Sequence, residues 1–542
     1  MSLRRVLLVW LDGYDPAAGE TLMAEGLLPA LARIKAASAC FALDHGAARW
    51  TGLAGEHLST GVSPVDAGRQ SALHFDPGHY TVWQEGTRRS PFPAALAART
   101  VVFDPTYFDL ARAPNVRGLV HWGAHDPGAR PASRPAGLHA EIERRFGRYP
   151  TEWIYGYVWP SPARAVEMGA ALARGLDLRT EAALWLLAER CPDWDLAIVT
   201  AGELHSAAES LWHGWDPAHP LHALPSAAAA RAGFVAAYVA ADRMIGRLAA
   251  AFPEATLVVC AMHGMGPNKS DVASMALLPE LLFRWQFRAG LQQGRAEWAA
   301  APAGVPILDA SAKWWPGVCQ ASFRPAETWP ARIARHATLE RAMGQPWPDD
   351  GADVACVSVE AIAATWYRPF WPAMRAFALP SYYDGRIRVN LAGREAKGRV
   401  PRWAYGFVLN SIERLLRNTR DLATGEPVVE AIERPVRRDP HALDPTSADL
   451  IVLWRGALLG FAHKRHGRIG PLPYQRPGGH TGGHGMALLA GGGLGPGEYG
   501  VRSAFDVVPT VIDLLGEAKP PHVSGASLLA SSRQPPLRMA AE

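Results

Sequence analysis

Short apolar runs that each stop at a polar, metal-competent side chain constrain this chain most. Val6-Leu7-Leu8-Val9-Trp10-Leu11 ends at Asp12-Gly13, and Thr256-Leu257-Val258-Val259-Cys260-Ala261 ends at Met262-His263-Gly264. Continuous apolar runs of this length, without alternation, suit strands covered on both faces, as in the interior of a parallel sheet. A third run, Leu196 to Thr200, leads into Gly202-Glu203-Leu204-His205, and a fourth, Met486 to Ala490, follows His480-Thr481-Gly482-Gly483-His484. Ligands of open α/β sheets bind at the carboxyl ends of strands, so four separated segments are expected to meet at one site.

The rest of the chain sets bounds. At 542 residues, 49% hydrophobic and 20% charged, it is long enough for one large α/β domain with an insertion. The net charge of +4 comes without a Lys/Arg run, which argues against a nucleic-acid partner. Cys40, Cys191, Cys260, Cys319 and Cys356 are isolated and odd in number, without zinc or disulfide spacing, and suit a reducing compartment. The apolar stretch after Arg4-Arg5 is too short for a signal peptide, and no run approaches the ~20 apolar residues of a membrane span. A soluble, cytoplasmic protein acting on a small molecule, with no membrane partner, is expected.

From residue 1 to about 285, strand-like runs alternate with Ala-rich helical stretches such as Gly169 to Arg190 and Ser226 to Ala251. Residues 286–440 read differently, with Trp298, Trp314, Trp315, Trp329, Trp347, Trp366 and Trp371 among many prolines, and are expected to form an inserted cap. Strand texture returns at Ala448 to Trp454, and Ser503 to Gly516 is an amphipathic helix with a glycine stop. The expected domains are an α/β core of residues 1–285 and 441–542 and an α+β cap of residues 286–440.

Thr51 stands nine residues ahead of Thr60-Gly61-Val62-Ser63-Pro64, a Thr-Gly-x-x-Pro turn. Together with the strand ending in Asp12-Gly13, His263-Gly264-Met265-Gly266, the late His480, Arg386-Ile387-Arg388-Val389-Asn390-Leu391-Ala392-Gly393-Arg394-Glu395 and Asp506-x-x-Pro509-Thr510, this order resembles the alkaline phosphatase superfamily, in its type I phosphodiesterase/nucleotide pyrophosphatase branch. The resemblance implies a mostly parallel sheet flanked by helices on both faces. It also implies a metal-dependent hydrolase of phosphodiesters or phosphate monoesters, with Thr51 as nucleophile through a phospho-threonyl intermediate. One ion would be held by His205, Glu209 and His480 and another by Asp12, Thr51 and His263, with Glu203 or His484 in support. Zinc is the expected metal, with manganese or magnesium as alternatives, and Arg386, Arg388 and Arg394 are the expected substrate contacts.

Two departures bear on the chemistry. His205-Ser206-Ala207-Ala208-Glu209 stands where such enzymes carry Asp-x-x-x-His, which keeps a nitrogen and a carboxylate one helical turn apart. Met262 replaces the usual Asp before His263, and a thioether is a poor ligand for a hard or borderline ion. A degenerate member that binds an anion or a partner is therefore the competing reading, and sulfate or phosphonate hydrolysis or phosphotransfer would use the same residues. Each residue also has a plainer role: Asp12 as a helix cap, Thr51 as a turn hydroxyl, His205 and Glu209 as an i,i+4 pair, the arginines as surface ion pairs, and His213, His219 and His222 as loop residues.

Overall fold

The computed structural model describes residues 5–123, 131–150, 161–308, 315–320, 322–323, 356–359, 362–435 and 439–531. Trp314, Trp329 and Trp347 of the aromatic cluster lie outside them. Nine strands form the central sheet: β1 (Val6–Leu11), β2 (Ala39–Asp44), β3 (Thr100–Phe103), β4 (Val116–Val120), β5 (Ala132–Arg134), β6 (Leu196–Ala201), β7 (Thr256–His263), β8 (His484–Ala490) and β9 (Gly497–Ser503). Their order is β9-β2-β8-β7-β1-β6-β3-β4-β5, and only β8 and β5 run against the others. The expected mixed α/β architecture with a large, mostly parallel sheet is what the chain adopts.

Strand alternation explains why both faces are covered. Leu7, Val9 and Leu11 of β1 pack into one cluster with α1 (Pro162–Trp185), α2 (Glu203–Trp215) and α3 (Ala227–Ala251). Val6, Leu8 and Trp10 pack into another on the opposite face, against α4 (Val507–Leu514). Each fully buried aliphatic side chain contributes about 1.5–3 kcal/mol to that sandwich. Met262 follows the same rule: it faces the second cluster with Val258 and Cys260, while His263 beside it closes the strand.

A third hydrophobic cluster holds the cap. Its four-stranded antiparallel sheet runs through Ala376–Leu379, Gly385–Val389, Leu450–Trp454 and Val429–Glu433. Leu450–Trp454, expected to return to the core, pairs here with Gly385–Val389, and its alternating burial fits an antiparallel strand with one covered face. The helix Leu278–Phe287 also packs into this cluster. Cys40, Cys191, Cys260 and Cys319 are free and buried. Among the described residues no helix is long and apolar enough to cross a membrane.

Candidate metal centre

The polar residues gather along one edge of the sheet, at the carboxyl ends of the parallel strands. Asp12 follows β1, His45 follows β2, His263 ends β7, and α2 starts directly after β6 and carries His205 in its first turn. Two glycines allow the necessary close approaches. Gly13, at φ 74°, leaves the backbone of His205 where a Cβ would come within 2.2 Å of it. Gly478 lies flat on α2, where a Cβ would sit 2.0 Å from the Ala208 carbonyl oxygen, and the chain then delivers His480 to the head of that helix.

His205, Glu209 and His480 are buried, and one ligand atom from each lies within 4.8 Å of the others. His205 Nε2 is 3.0 Å from Glu209 Oε1, and His480 Nε2 is 3.0 Å from His205 Nε2. The second carboxylate oxygen of Glu209 is buried without a hydrogen-bond partner. Two imidazole nitrogens and a carboxylate oxygen in this arrangement could hold a divalent metal ion. On the other side of the ring, His205 Nδ1 is 3.6 Å from Asp12 Oδ2.

Arg476, missed by the sequence reading, is buried at this centre. It makes an ion pair with Glu209 and a bidentate one with Asp271 at 2.7 and 3.0 Å. Burial alone would raise the Glu209 carboxyl, but Arg476 and His205 hold it down at about 2. Burial would likewise lower His205, and the Glu209 and Asp12 carboxylates instead push it up to about 10.

A line of imidazoles extends from the centre into the core. His480 Nδ1 is 2.6 Å from His263 Nε2, His263 Nδ1 is 3.0 Å from His45 Nδ1, and His45 Nε2 is 3.0 Å from His57 Nδ1. His45 and His57 were not anticipated. Both ring nitrogens of His263 therefore face other imidazoles. Burial drives His263 down to about 4, and His57 to about 3. The line ends at His57 Nε2, which is buried without a partner.

The remaining expected site residues stand in differing surroundings. Thr51 is buried at the end of the turn Gly46–Thr51, where its hydroxyl donates to the Ala48 carbonyl at 2.7 Å and accepts from the Leu53 N–H at 3.2 Å. Glu203 grips Arg179 with both oxygens, at 2.9–3.1 Å, in a buried network with Asp104, so it supports the sheet edge and does not reach the centre. His484 is exposed at the start of β8. The expectation for the three arginines needs revision as well. Arg386 is paired with Asp384, Arg388 with Glu395, and Arg394 with Glu395 and Asp449, all inside the cap and none lining the cavity at the centre. Buried guanidinium groups must be paired, and these are satisfied by the cap's own carboxylates.

That cavity measures ≈70 Å³ and is walled by Asp12, His205, His263 and His480 below and by Tyr382 and Tyr383 of the cap above. The Tyr383 ring stands edge-on to His480, 4.8 Å between centroids. Arg49 also faces the cavity. One of its terminal nitrogens donates to the Gly482 carbonyl at 2.9 Å, while its Nε is buried without an acceptor.

No family model and no curated protein matches the chain. Among solved structures it is similar to the phosphonoacetate hydrolase of Sinorhizobium meliloti 1021 in complex with phosphonoformate, at 15% identity and a TM-score of 0.46, covering 95% of each chain. It is also similar to human ectonucleotide pyrophosphatase/phosphodiesterase 5, at 11% identity and a TM-score of 0.45, covering 97% of this chain and 98% of that one.

Proposed function

We propose that the chain is a metal-dependent phosphoric-ester hydrolase with one divalent ion, zinc by the chemistry of its donors, held by His205, Glu209 and His480. The observation that carries this reading is the buried convergence of those three side chains, with ligand atoms inside 4.8 Å. Lewis bases this close and this buried are costly unless a proton or a cation joins them. A single ligand cluster of this kind occurs among the described residues, which favours a single ion. When bound, the ion supplies Lewis-acid stabilisation of charge developing on a phosphoryl oxygen.

The chain's own residues have separate tasks. Asp12 orients His205 through Nδ1, the usual outer support of a metal-binding imidazole. A neutral imidazole has one N–H and one lone pair, so a His480 that commits its Nε2 lone pair must donate from Nδ1 to His263 Nε2. His263 then donates from Nδ1 to His45, and His45 from Nε2 to His57, which makes His263 a support of His480 in this reading. Arg49, with its unused Nε–H, holds a non-bridging phosphoryl oxygen. Thr51 leaves the Ala48 carbonyl and attacks in line. Its Oγ–P bond forms as the P–O bond to the leaving group breaks, the hydroxyl proton ends on the departing alkoxide, which leaves as the alcohol, and water then hydrolyses the phospho-threonyl ester to free Thr51 and the phosphate product.

Metal analysis and turnover of an activated aryl phosphodiester test this together. We expect one zinc per chain, loss of metal and turnover in His480→Gln, and loss of turnover with retained metal in Thr51→Ala. A chain that takes up neither zinc nor manganese overturns the reading, and undiminished turnover in Thr51→Ala removes Thr51 from it.

A further inference from the structure

A second concavity, ≈680 Å³, lies on the cap between the end of the helix Leu278–Phe287 and the hairpin of Phe461–His463 with Gly467–Ile469. Its lining includes Arg284, Arg288, Arg375, Arg465 and His466, and no carboxylate among the described residues. Arg284 is the fixed floor. It pairs with Glu280 at 2.6 Å and donates to the carbonyls of His466, Arg468 and Gln292 at 3.1, 2.7 and 2.9 Å, tying hairpin to helix.

Arg288, Arg375 and Arg465 make no ion pair among the described residues. Arg375 is held by the Gln286 side chain at 3.1 Å and lies over the Trp285 ring, 4.2 Å from its centroid. All three are exposed, so solvent screens their mutual repulsion, and together they set a positive potential over the hollow that favours an anion.

Backbone strain supplies an independent sign. Arg288 occupies the position just past the helix at φ 56°, a left-handed conformation that helices ordinarily give to glycine. A side chain kept there at a conformational cost points to use of that side chain. The surroundings of His466 agree, since burial and then His463, Arg284, Arg288 and Arg465 all push its imidazole below the ordinary range.

We propose that this concavity binds a compact polyanion carrying a diphosphate group, whether free or as part of a nucleoside diphosphate. Planar guanidinium forks pair bidentately with phosphate oxygens, and several around one hollow match adjacent phosphates better than a single carboxylate. The volume falls within the range of small-molecule sites. The proposal stands apart from the metal centre and does not depend on it.

Calorimetric titration of the purified full chain with methylenediphosphonate, which resists hydrolysis, tests it. We expect one equivalent to bind, at least tenfold more weakly in Arg288→Gln/Arg465→Gln and at unchanged strength in His480→Gln. Arg288→Gly relieves the backbone while deleting the guanidinium, so a folded chain with a higher Tm and weaker binding is expected even if the double variant is unstable. A parallel titration with α,β-methylene-ADP separates the sources: tighter binding assigns a nucleoside diphosphate, equal or weaker binding the free diphosphate. The proposal is overturned by absence of binding at millimolar ligand, by full-strength binding in both arginine variants, or by binding lost only in His480→Gln.

Discussion

Acid should unfold this protein well above the carboxylate range, because several buried imidazoles are held neutral. Burial lowers His57 to about 3 and His263 to about 4; His213 and His219, which also feel neighbouring histidines, fall to about 4. His45 is lowered in the same way. A group with a depressed folded pKa whose charged form is the acid one leaves the fold most stable above the unfolded value and weakens it as pH falls. Starting from an unfolded pKa of about 6.5, each of the four loses about 1.8 kcal/mol of folding stability between pH 7 and about pH 5, or about 7 kcal/mol together. That is comparable to the whole stability of an ordinary domain, about 5–15 kcal/mol. Glu209, held at about 2, withdraws its contribution only below its unfolded pKa of about 4.5, so it cannot cause a transition at pH 5–6. Tryptophan fluorescence and near-UV circular dichroism of the EDTA-treated chain should show a cooperative loss of structure between about pH 6 and 4.5. The double variant His213→Asn/His219→Gln should roughly halve the pH slope of stability. A chain that stays native to pH 4, or a double variant with the slope of the wild type, would refute the buried-imidazole argument.

The metal centre should show the opposite pH dependence. The Glu209 and Asp12 carboxylates hold a proton on His205 up to about 10, and an ion must displace it, so zinc affinity should rise about tenfold per pH unit from about pH 7 to 9 in competition titrations. Without metal, the same raised pKa means that His205 withdraws about 2.5 kcal/mol of stability between pH 7 and about pH 9, a loss that saturating zinc should abolish in thermal melts. Arg49→Gln should lower kcat/KM for an aryl phosphodiester by about 100-fold or more, as for loss of one transition-state donor, with zinc stoichiometry unchanged. Gly478→Ala drives a Cβ into the Ala208 carbonyl at 2.0 Å and should weaken zinc binding about 10–100-fold by displacing His480.

Much of the sheet was legible because a strand covered on both faces leaves a continuous apolar run, and β1, β6 and β7 carry such runs. The same logic, that a polar residue at a strand's carboxyl end faces the ligand edge, also marks His45 after β2; it was missed because Ala39–Asp44 is a less distinctive run. Arg476 carried no such signal, since it arrives from an irregular segment and its role depends on Glu209 and Asp271, distant in sequence. The cap defeated pattern reading for a related reason. Its antiparallel strands are short, and Leu450–Trp454 is joined to Gly385–Val389 only by long-range pairing.

Periodicity accounts for the side chains that sequence proximity misassigned. Glu203 and His205 are two apart on α2, which turns them to different sides of a helix, so one meets Arg179 while the other meets His480. His205 and Glu209, four apart, share a side and converge. On β7 the period is two: with His263 at the imidazole line, Met262 faces the apolar cluster behind it. An aspartate there would place a carboxylate in the apolar cluster to which Met262 belongs, and methionine avoids that cost. With methionine at 262 the end of β7 carries no carboxylate beside His263, and the strand edge there is occupied by the imidazoles of His263, His45 and His57, the first of them 2.6 Å from His480.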